Sequence, residues 1–393
     1  MKKILFYTSG VGIGGVEKII LQILQLINKS KFDIKLGLQY ENENLFENEI
    51  PKGIKFKYML SQKIINKSLY LRERKNNIFY NFCYSLMLSY ERYVIKKNYL
   101  KFSKDRDVVI DFKSGDFLKL INLKSGDRKK IICWIHGEIK TLNEYQKRKE
   151  IFKNNLEKCQ KIICICEEMK ERFIQELPDL KSKIQVIYNP FDIIKIKKLS
   201  SDYSDINENE KKLLKENYII MVSRLDNKQK DFFTLIRTFE ILKNRKINIK
   251  LFILGEGADR EKIKERIEEK DLEKEIILLG MKKNPYPWIK NANLLVHSSN
   301  YEGLPTVLIE GLILNKIIIS TDCPTGPKEI LKNGKYGSLV AIGDYEKMAS
   351  EIEELSNYDS VRRKKYLELT EEAVERFDGN KIILKIEKLI ENL

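Results

Sequence analysis

Residues 292–312, Ala-Asn-Leu-Leu-Val-His-Ser-Ser-Asn-Tyr-Glu-Gly-Leu-Pro-Thr-Val-Leu-Ile-Glu-Gly-Leu, restrict the fold more than any other part of the chain. Leu294, Leu295 and Val296 read as a short buried strand, and Ser298 to Asn300 as the polar turn that ends it. A helix then opens at Leu304-Pro305-Thr306, because proline is at home in a first helical turn, where its missing N–H would have had no partner. The stretch therefore sets a helix N-terminus at the carboxyl end of a parallel strand. Backbone donors and the macrodipole attract an anion there, typically phosphate. Glu302 precedes the helix and Glu310 lies inside it. Carboxylates accept hydrogen bonds from hydroxyls and have no useful affinity for phosphate. Acids on both sides of an anion site suit a nucleotide sugar, with a sugar at one end, a ribose at the other and a diphosphate between.

The chain has 393 residues, too many for one core, so two domains are expected. One third of it is charged, and it carries neither a signal-peptide pattern nor an apolar run long enough to span a bilayer. The cysteines, Cys83, Cys133, Cys159, Cys164, Cys166 and Cys323, show no metal spacing, and several sit in apolar runs, as reduced core residues of a cytoplasmic protein would. With His136 and His297 the only histidines, a histidine metal site is not expected. The net charge of +16 would suit an anionic partner, but the cations are scattered and mixed with acids. Nucleic acid is therefore not expected. An anionic membrane stays open because of one segment.

That segment is 69–102. Its centre, 78–90, carries no charge, and it is flanked by Arg72, Arg74 and Lys75 before and by Arg92, Lys96, Lys97 and Lys101 after. Apolar residues on every face of a helix suit deep burial, and a core helix of the first domain is the leading expectation. Basic flanks and tyrosines also suit a helix seated at a membrane interface.

Strand-like runs alternate with helical periods along the rest of the chain. Lys2 to Ser9 reads as a first buried strand, and Gly10-Val11-Gly12-Ile13-Gly14-Gly15-Val16-Glu17-Lys18 leads into a helix. Gly10, Gly12 and Gly15 fit a dinucleotide fingerprint, with Glu41 as its acid, which makes an NAD-dependent oxidoreductase the rival enzyme. The run 130–135 ends in His136, at the carboxyl end of a strand, where ligands gather in open α/β sheets. Asp105-Arg106-Asp107 mimics a metal-binding D-x-D but precedes its strand, so it is set aside. Asn189-Pro190 stops regular structure, and residues 193–216 are charged and without strong periodicity, as a linker would be. The pattern restarts at 218–223, followed by Arg224 and Lys230; another strand ends in Gly255-Glu256-Gly257. His297 reads as structural.

The E-x7-E spacing with Gly-Leu-Pro after its first Glu resembles the donor-site motif of retaining GT-B glycosyltransferases, in particular glycosyltransferase family four. The Gly14-Gly15-x-Glu17 turn, His136, the Arg224…Lys230 pair and the Gly255-x-Gly257 turn resemble that family's elements too, and the run 284–288 resembles transferases of bacterial surface polysaccharides. The resemblance implies two Rossmann-like parallel-sheet domains facing across a cleft. These are an acceptor-binding domain over 1–191, a linker over 192–216, a nucleotide-sugar domain over 217–377, and a terminal helix, 378–393, crossing back to the first.

It also implies retaining transfer of a hexosyl or N-acetylhexosaminyl group, with no metal or cofactor, from a nucleotide diphosphate (UDP favoured) to a glycan or polyprenyl-linked acceptor. That work would be done in the cytoplasm or peripherally on the inner face of the cell membrane. Glu302 would hold the donor sugar's hydroxyls and Glu310 the ribose. Arg224 and Lys230 would stabilise the leaving diphosphate, with the N–H groups of Leu304 and Thr306, either side of Pro305, nearby. His136 would contact the donor sugar. A non-catalytic sugar- or lipid-binding protein of the same fold is the third reading.

Overall fold

The computed structural model describes residues 1–12, 14–41, 46–115, 118 and 129–393; Ile13, in the glycine loop, lies outside the described residues. The chain divides into two compact units, Met1–Phe191 with Gly379–Leu393, and Asp192–Asp378.

In the first unit, β1 (Lys2–Thr8), α1 (Gly15–Leu26), β2 (Phe32–Tyr40) and β3 (Lys55–Leu60) are followed by α2 (Gln62–Glu73) and α3 (Ile78–Phe102). Then come β4 (Val108–Asp111), β5 (Lys130–Ile135), α4 (Asn143–Leu156), β6 (Lys161–Cys164), α5 (Glu167–Glu176) and β7 (Ile184–Val186). The strands form one parallel sheet in the order β3-β2-β1-β4-β5-β6-β7. Strands buried on both faces read as near-continuous apolar runs. Ile4, Leu5, Phe6 and Tyr7 of β1 and Ile131 to Ile135 of β5 are such runs, almost wholly buried.

In the second unit, α6 (Ile193–Leu199) and α7 (Glu208–Leu213) precede β8 (Tyr218–Val222), α8 (Phe232–Asn244), β9 (Lys250–Leu254), α9 (Arg260–Glu268) and β10 (Ile276–Gly280). After them come α10 (Tyr286–Asn291), β11 (Leu294–His297), α11 (Thr306–Ile313), β12 (Ile317–Thr321), α12 (Pro327–Ile330) and β13 (Ser338–Val340). Helices α13 (Tyr345–Ser356), α14 (Val361–Glu368) and α15 (Thr370–Glu375) follow, and α16 (Gly379–Glu391) belongs to the first unit. The second sheet is also parallel, in the order β10-β9-β8-β11-β12-β13.

Both orders reverse direction once, between β1 and β4 and between β8 and β11. At such a switch point neighbouring strands send their connections to opposite faces, which leaves a crevice at their carboxyl ends. The loops after β8 and β11 carry Arg224, Lys230 and Glu302.

Helix α16 docks in the first unit through its last turns. Glu387 accepts from the Asn28 N–H at 2.8 Å, and the Lys2 ammonium donates to the Ile390 carbonyl at 2.8 Å.

Two expectations change. Residues 192–216 are not a bare linker: they carry α6 and α7 and pack in the second unit. The fastening is Asn284, whose amide donates to the carbonyls of Leu199 (2.9 Å) and Asp202 (3.3 Å). Lys282 also pairs with Glu210. Charge hid the periodicity of these short helices.

The second change is α3, which is not a core helix along its length. Only Met87, Ile95 and Tyr99 are buried, and the core against β1, β3 and β4 receives Ile95 and Tyr99 from its C-terminal half. The N-terminal half leaves Ile78 (89 %), Phe79 (68 %), Phe82 (62 %), Leu86 (57 %) and Tyr90 (51 %) exposed, and Tyr93 (60 %), just beyond it, is exposed too. Among the described residues, no helix is long and apolar enough to cross a membrane.

Asn284→Ala should release the 199–202 segment at a cost of about 1–2 kcal/mol for the two lost hydrogen bonds. Limited proteolysis should then cut within 199–216 faster than in the parent chain; an unchanged cleavage rate would contradict this fastening.

Candidate functional site

The connection after β8 is shaped by two glycines of the β9 loop. A Cβ on Gly255 (φ +147°) would fall 1.8 Å from the Ser223 carbonyl oxygen, and one on Gly257 would fall 2.3 Å from that of Leu225. With no side chain in the way, the Leu225 N–H donates to the Glu256 carbonyl at 3.0 Å. Gly255 and Gly257 thus serve as a bed for residues 223–225 and fix where Arg224 leaves the sheet. Arg224 is exposed, and its Nη2 donates to Gln229 Oε1 at 3.0 Å.

The loop then runs alongside the β11 connection. Lys230 and Ser299 form an antiparallel bridge, the Asp231 N–H donates to the Ser298 carbonyl at 3.0 Å, and the Asn300 N–H donates to the Gln229 carbonyl at 2.8 Å. Asp231 closes the turn by capping α8, accepting from the Thr234 N–H at 3.0 Å.

This lacing brings Lys230 (7 % exposed) onto Glu302 (6 %). The ammonium donates to Glu302 Oε1. His297 Nε2 lies 3.0 Å from the same oxygen, and Gln229 Nε2 donates to Oε2 at 3.4 Å. Since an ionised carboxylate only accepts, His297 carries its proton on Nε2. Its Nδ1 has no partner among the described residues. Burial disfavours the Glu302 charge, but Lys230 and His297 outweigh it and hold the carboxyl well below the usual range. Burial, then Lys230, lowers the pKa of His297, which is therefore neutral at pH 7. The sequence treated His297 as structural and passed over Gln229. Their position at a strand end and beside Lys230 was the available signal.

A turn after β12 clamps this loop. The Glu302 N–H donates to the Pro324 carbonyl at 3.0 Å, and the Thr325 hydroxyl donates to the Glu302 carbonyl. Gly326 has φ +93°, and a Cβ there would lie 2.6 Å from Pro305 Cδ. Helix α11 follows with Pro305 at its cap position, where no side chain among the described residues caps it. Leu304 and Pro305 are buried, and Thr306 is half-buried. Their end of the helix has the form expected of an anion site. Glu310, 4 % exposed, accepts from the Tyr286 hydroxyl at 3.3 Å. The structure thus joins Lys230 and Glu302 directly and Arg224 through Gln229, while Glu310 is anchored to α10.

In the first unit, Gly14 caps α1, and a Cβ there would fall 2.0 Å from a Glu17 carboxylate oxygen, so the acid folds onto its own loop; Gly15 opens the helix. Glu41, the acid the dinucleotide reading requires, accepts from the Gln62 N–H at the head of α2 (2.6 Å), away from that role. His136 follows β5. Its N–H donates to Ser114 Oγ at 3.1 Å and its ring lies 5.0 Å from that of Phe112. Neither ring nitrogen has a partner among the described residues, and burial pushes its pKa down to about 3, so the imidazole is neutral. The described residues hold no group of three His, Cys, Asp or Glu that could bind a metal ion.

Two Rossmann-like parallel-sheet units define a protein of the GT-B fold. The Anabaena HepE structure in complex with UDP-glucose is similar over 100 % of both chains, with TM-score 0.75 and 17 % identity. Residues 202–376, in the second unit, match the family described as glycosyl transferases group 1. An uncharacterized glycosyltransferase of Methanocaldococcus jannaschii is 33 % identical over 259 residues, 58 % of this chain and 63 % of the relative. A Campylobacter jejuni enzyme is 30 % identical over 213 residues, 54 % of each chain; it is named N-acetylgalactosamine-N,N'-diacetylbacillosaminyl-diphospho-undecaprenol 4-alpha-N-acetylgalactosaminyltransferase. The matches therefore span between half and two thirds of these relatives' lengths.

Lys230→Met would leave the Glu302 carboxylate buried and unpaired, at a cost of about 3–5 kcal/mol. A glutamate whose folded pKa is depressed contributes stability that is present above its usual range near 4.5 and lost as pH falls. The stability gap between parent and variant should therefore narrow from pH 7 towards pH 3 in urea unfolding; a constant gap would contradict the pairing.

Proposed function

We propose that the chain is a retaining, metal-independent glycosyltransferase. It would move a hexosyl or N-acetylhexosaminyl group from a UDP-sugar to a glycan or polyprenyl-linked acceptor in cell-envelope polysaccharide synthesis. The observation that carries this reading is the buried Lys230–Glu302 pair, set at a sheet switch point beside the start of α11. The names of the relatives and the UDP-glucose of the structural neighbour support the substrate class.

In this reading the ionised Glu302 accepts hydrogen bonds from donor-sugar hydroxyls, and Glu310 does the same for the ribose. Lys230 and Arg224 neutralise charge that grows on the departing diphosphate, helped by the N–H groups of Leu304 and Thr306. Such fixed donors are already oriented when the charge appears, so little reorganisation opposes the step. Arginine can grip a phosphate through two parallel hydrogen bonds. Neutral His136 contacts the donor sugar as a hydrogen-bonding group. The acceptor attacks from the face the diphosphate leaves, and a phosphate oxygen takes its proton.

Arg224 gives the cleanest test because it is exposed and its loss leaves no buried charge. Arg224→Ala should lower turnover about 10²–10³-fold, or ~3–4 kcal/mol, without shifting Tm. Activity should survive EDTA. An unchanged rate in the variant, or a strict need for Mg²⁺ or Mn²⁺, would refute the diphosphate role assigned to fixed cations.

The same reading puts the reaction at the cytoplasmic face of the cell membrane, with α3 resting on anionic lipid. Phe79, Phe82, Leu86, Tyr90 and Tyr93 recur every three or four residues and form one exposed stripe, with Arg92, Lys96, Lys97 and Lys101 on the same helix. The chain should co-sediment with vesicles containing phosphatidylglycerol and bind neutral vesicles less well. Phe82→Ser with Leu86→Ser should weaken binding, and no binding at low salt would end this part of the proposal.

A further inference from the structure

Between Arg224 and Glu302 stands one neutral side chain. Gln229 Oε1 accepts from Arg224 Nη2 at 3.0 Å, and Gln229 Nε2 lies 3.4 Å from both Glu302 Oε2 and the Tyr301 carbonyl. Among the described residues, the bond to Gln229 is the one hydrogen bond of the Arg224 guanidinium. Arg224 is exposed, whereas Gln229 is half-buried and fixed through its backbone. The Gln229 N–H donates to the Asp226 carbonyl at 3.2 Å, and its carbonyl accepts from the Asn300 N–H at 2.8 Å.

Chemistry settles which way the amide points. A guanidinium only donates, while an ionised carboxylate and a backbone carbonyl only accept. Turning the amide over would set its NH₂ against the guanidinium and its oxygen against two other oxygens, so all three contacts would become repulsive. Gln229 therefore uses each end of one planar group on the charged side chain that suits it.

The link matters more to Arg224 than to Glu302. Lys230 and His297 already hold Glu302 Oε1, and the two bonds from Gln229 Nε2 are long. An arginine without a partner samples many rotamers, and ordering it while charge grows on a leaving group would oppose the step. Held by one bond on Nη2, the guanidinium keeps its other N–H groups for a phosphate and is aimed in advance.

We infer that Gln229 is a positioning residue that ties the guanidinium of Arg224 to the carboxylate of Glu302, so that diphosphate and sugar are gripped at a fixed spacing. The inference rests on the glycosyl-transfer reading above and adds a residue that touches neither substrate in it.

Gln229→Met keeps the length of the side chain and removes both ends of the link. Turnover should fall about 10–100-fold, the scale of a hydrogen bond to a charged group, with Tm unchanged. The same substitution made in an Arg224→Ala chain should lower turnover by less than about 3-fold, because the group that Gln229 aims is already gone. A residue that merely braced the loop would also disturb Lys230 and Glu302, and its loss would be felt in full with or without Arg224. If Gln229→Met lowers Tm, Gln229→Ala repeats the cycle. A larger fall in the Arg224→Ala chain, or a parent-like rate in the single variant, would overturn the inference. A parent chain that transfers no sugar would instead sink the glycosyl-transfer reading. Calorimetry with UDP would then read the same cycle, and losses of affinity that multiply, or no binding of UDP by the parent chain, would overturn the link.

Discussion

A buried ammonium against a buried carboxylate is what the second unit is built to hold. Taking either charge out of water alone would cost several kcal/mol, and a pair repays that only when its geometry is fixed and its spare valences are filled. Lys230 and Glu302 meet both conditions because three loops converge on them. The β8 loop is laced to the β11 loop through the Lys230–Ser299 bridge, and the β12 turn clamps Glu302 through Pro324 and Thr325. Thr321 completes the brace, accepting from the Ser299 N–H at 2.9 Å and donating to the Ser299 carbonyl at 2.8 Å. Well-packed apolar residues would often be as stable in such a place, so the pair is better explained by the chemistry it permits than by the stability it adds.

The two units solve different electrostatic problems at the same end of a sheet. In the second, fixed positive charge stands beside a helix start, suited to a diphosphate. In the first, His136 is kept neutral by burial, and the polar atoms around it carry directional hydrogen-bonding capacity without net positive charge. The strands of both units are ordinary buried parallel strands; the difference lies wholly in the first residues beyond their carboxyl ends.

Much of this was legible in the chain. Apolar runs such as Ile131 to Ile135 and Tyr218 to Met221 are buried strands, and Pro305 does mark a helix start, because these depend on local sterics and on periodicity. Arg224, Lys230, Glu302 and His136 were also marked out by their places after strands, where the structure does put them. Less legible were His297, whose ring could have been packed anywhere until its distance to Glu302 was known, and Gln229, which links Arg224 to the pair. The α3 reading failed for a physical reason: an uncharged helix centre looks the same whether its apolar stripe meets a sheet or stands clear of one. Here the sheet receives only the C-terminal half.

By itself, then, the sequence determined the alternation of strand and helix and the residue types waiting at the strand ends, since both follow from interactions among near neighbours. Only the tertiary structure decided which of those residues meet. Lys230 reaches Glu302 across 72 positions because β11, and not a strand nearer in sequence, lies beside β8 on the open side of the switch point. Strand order is set by the packing of the whole domain, and no local pattern records it.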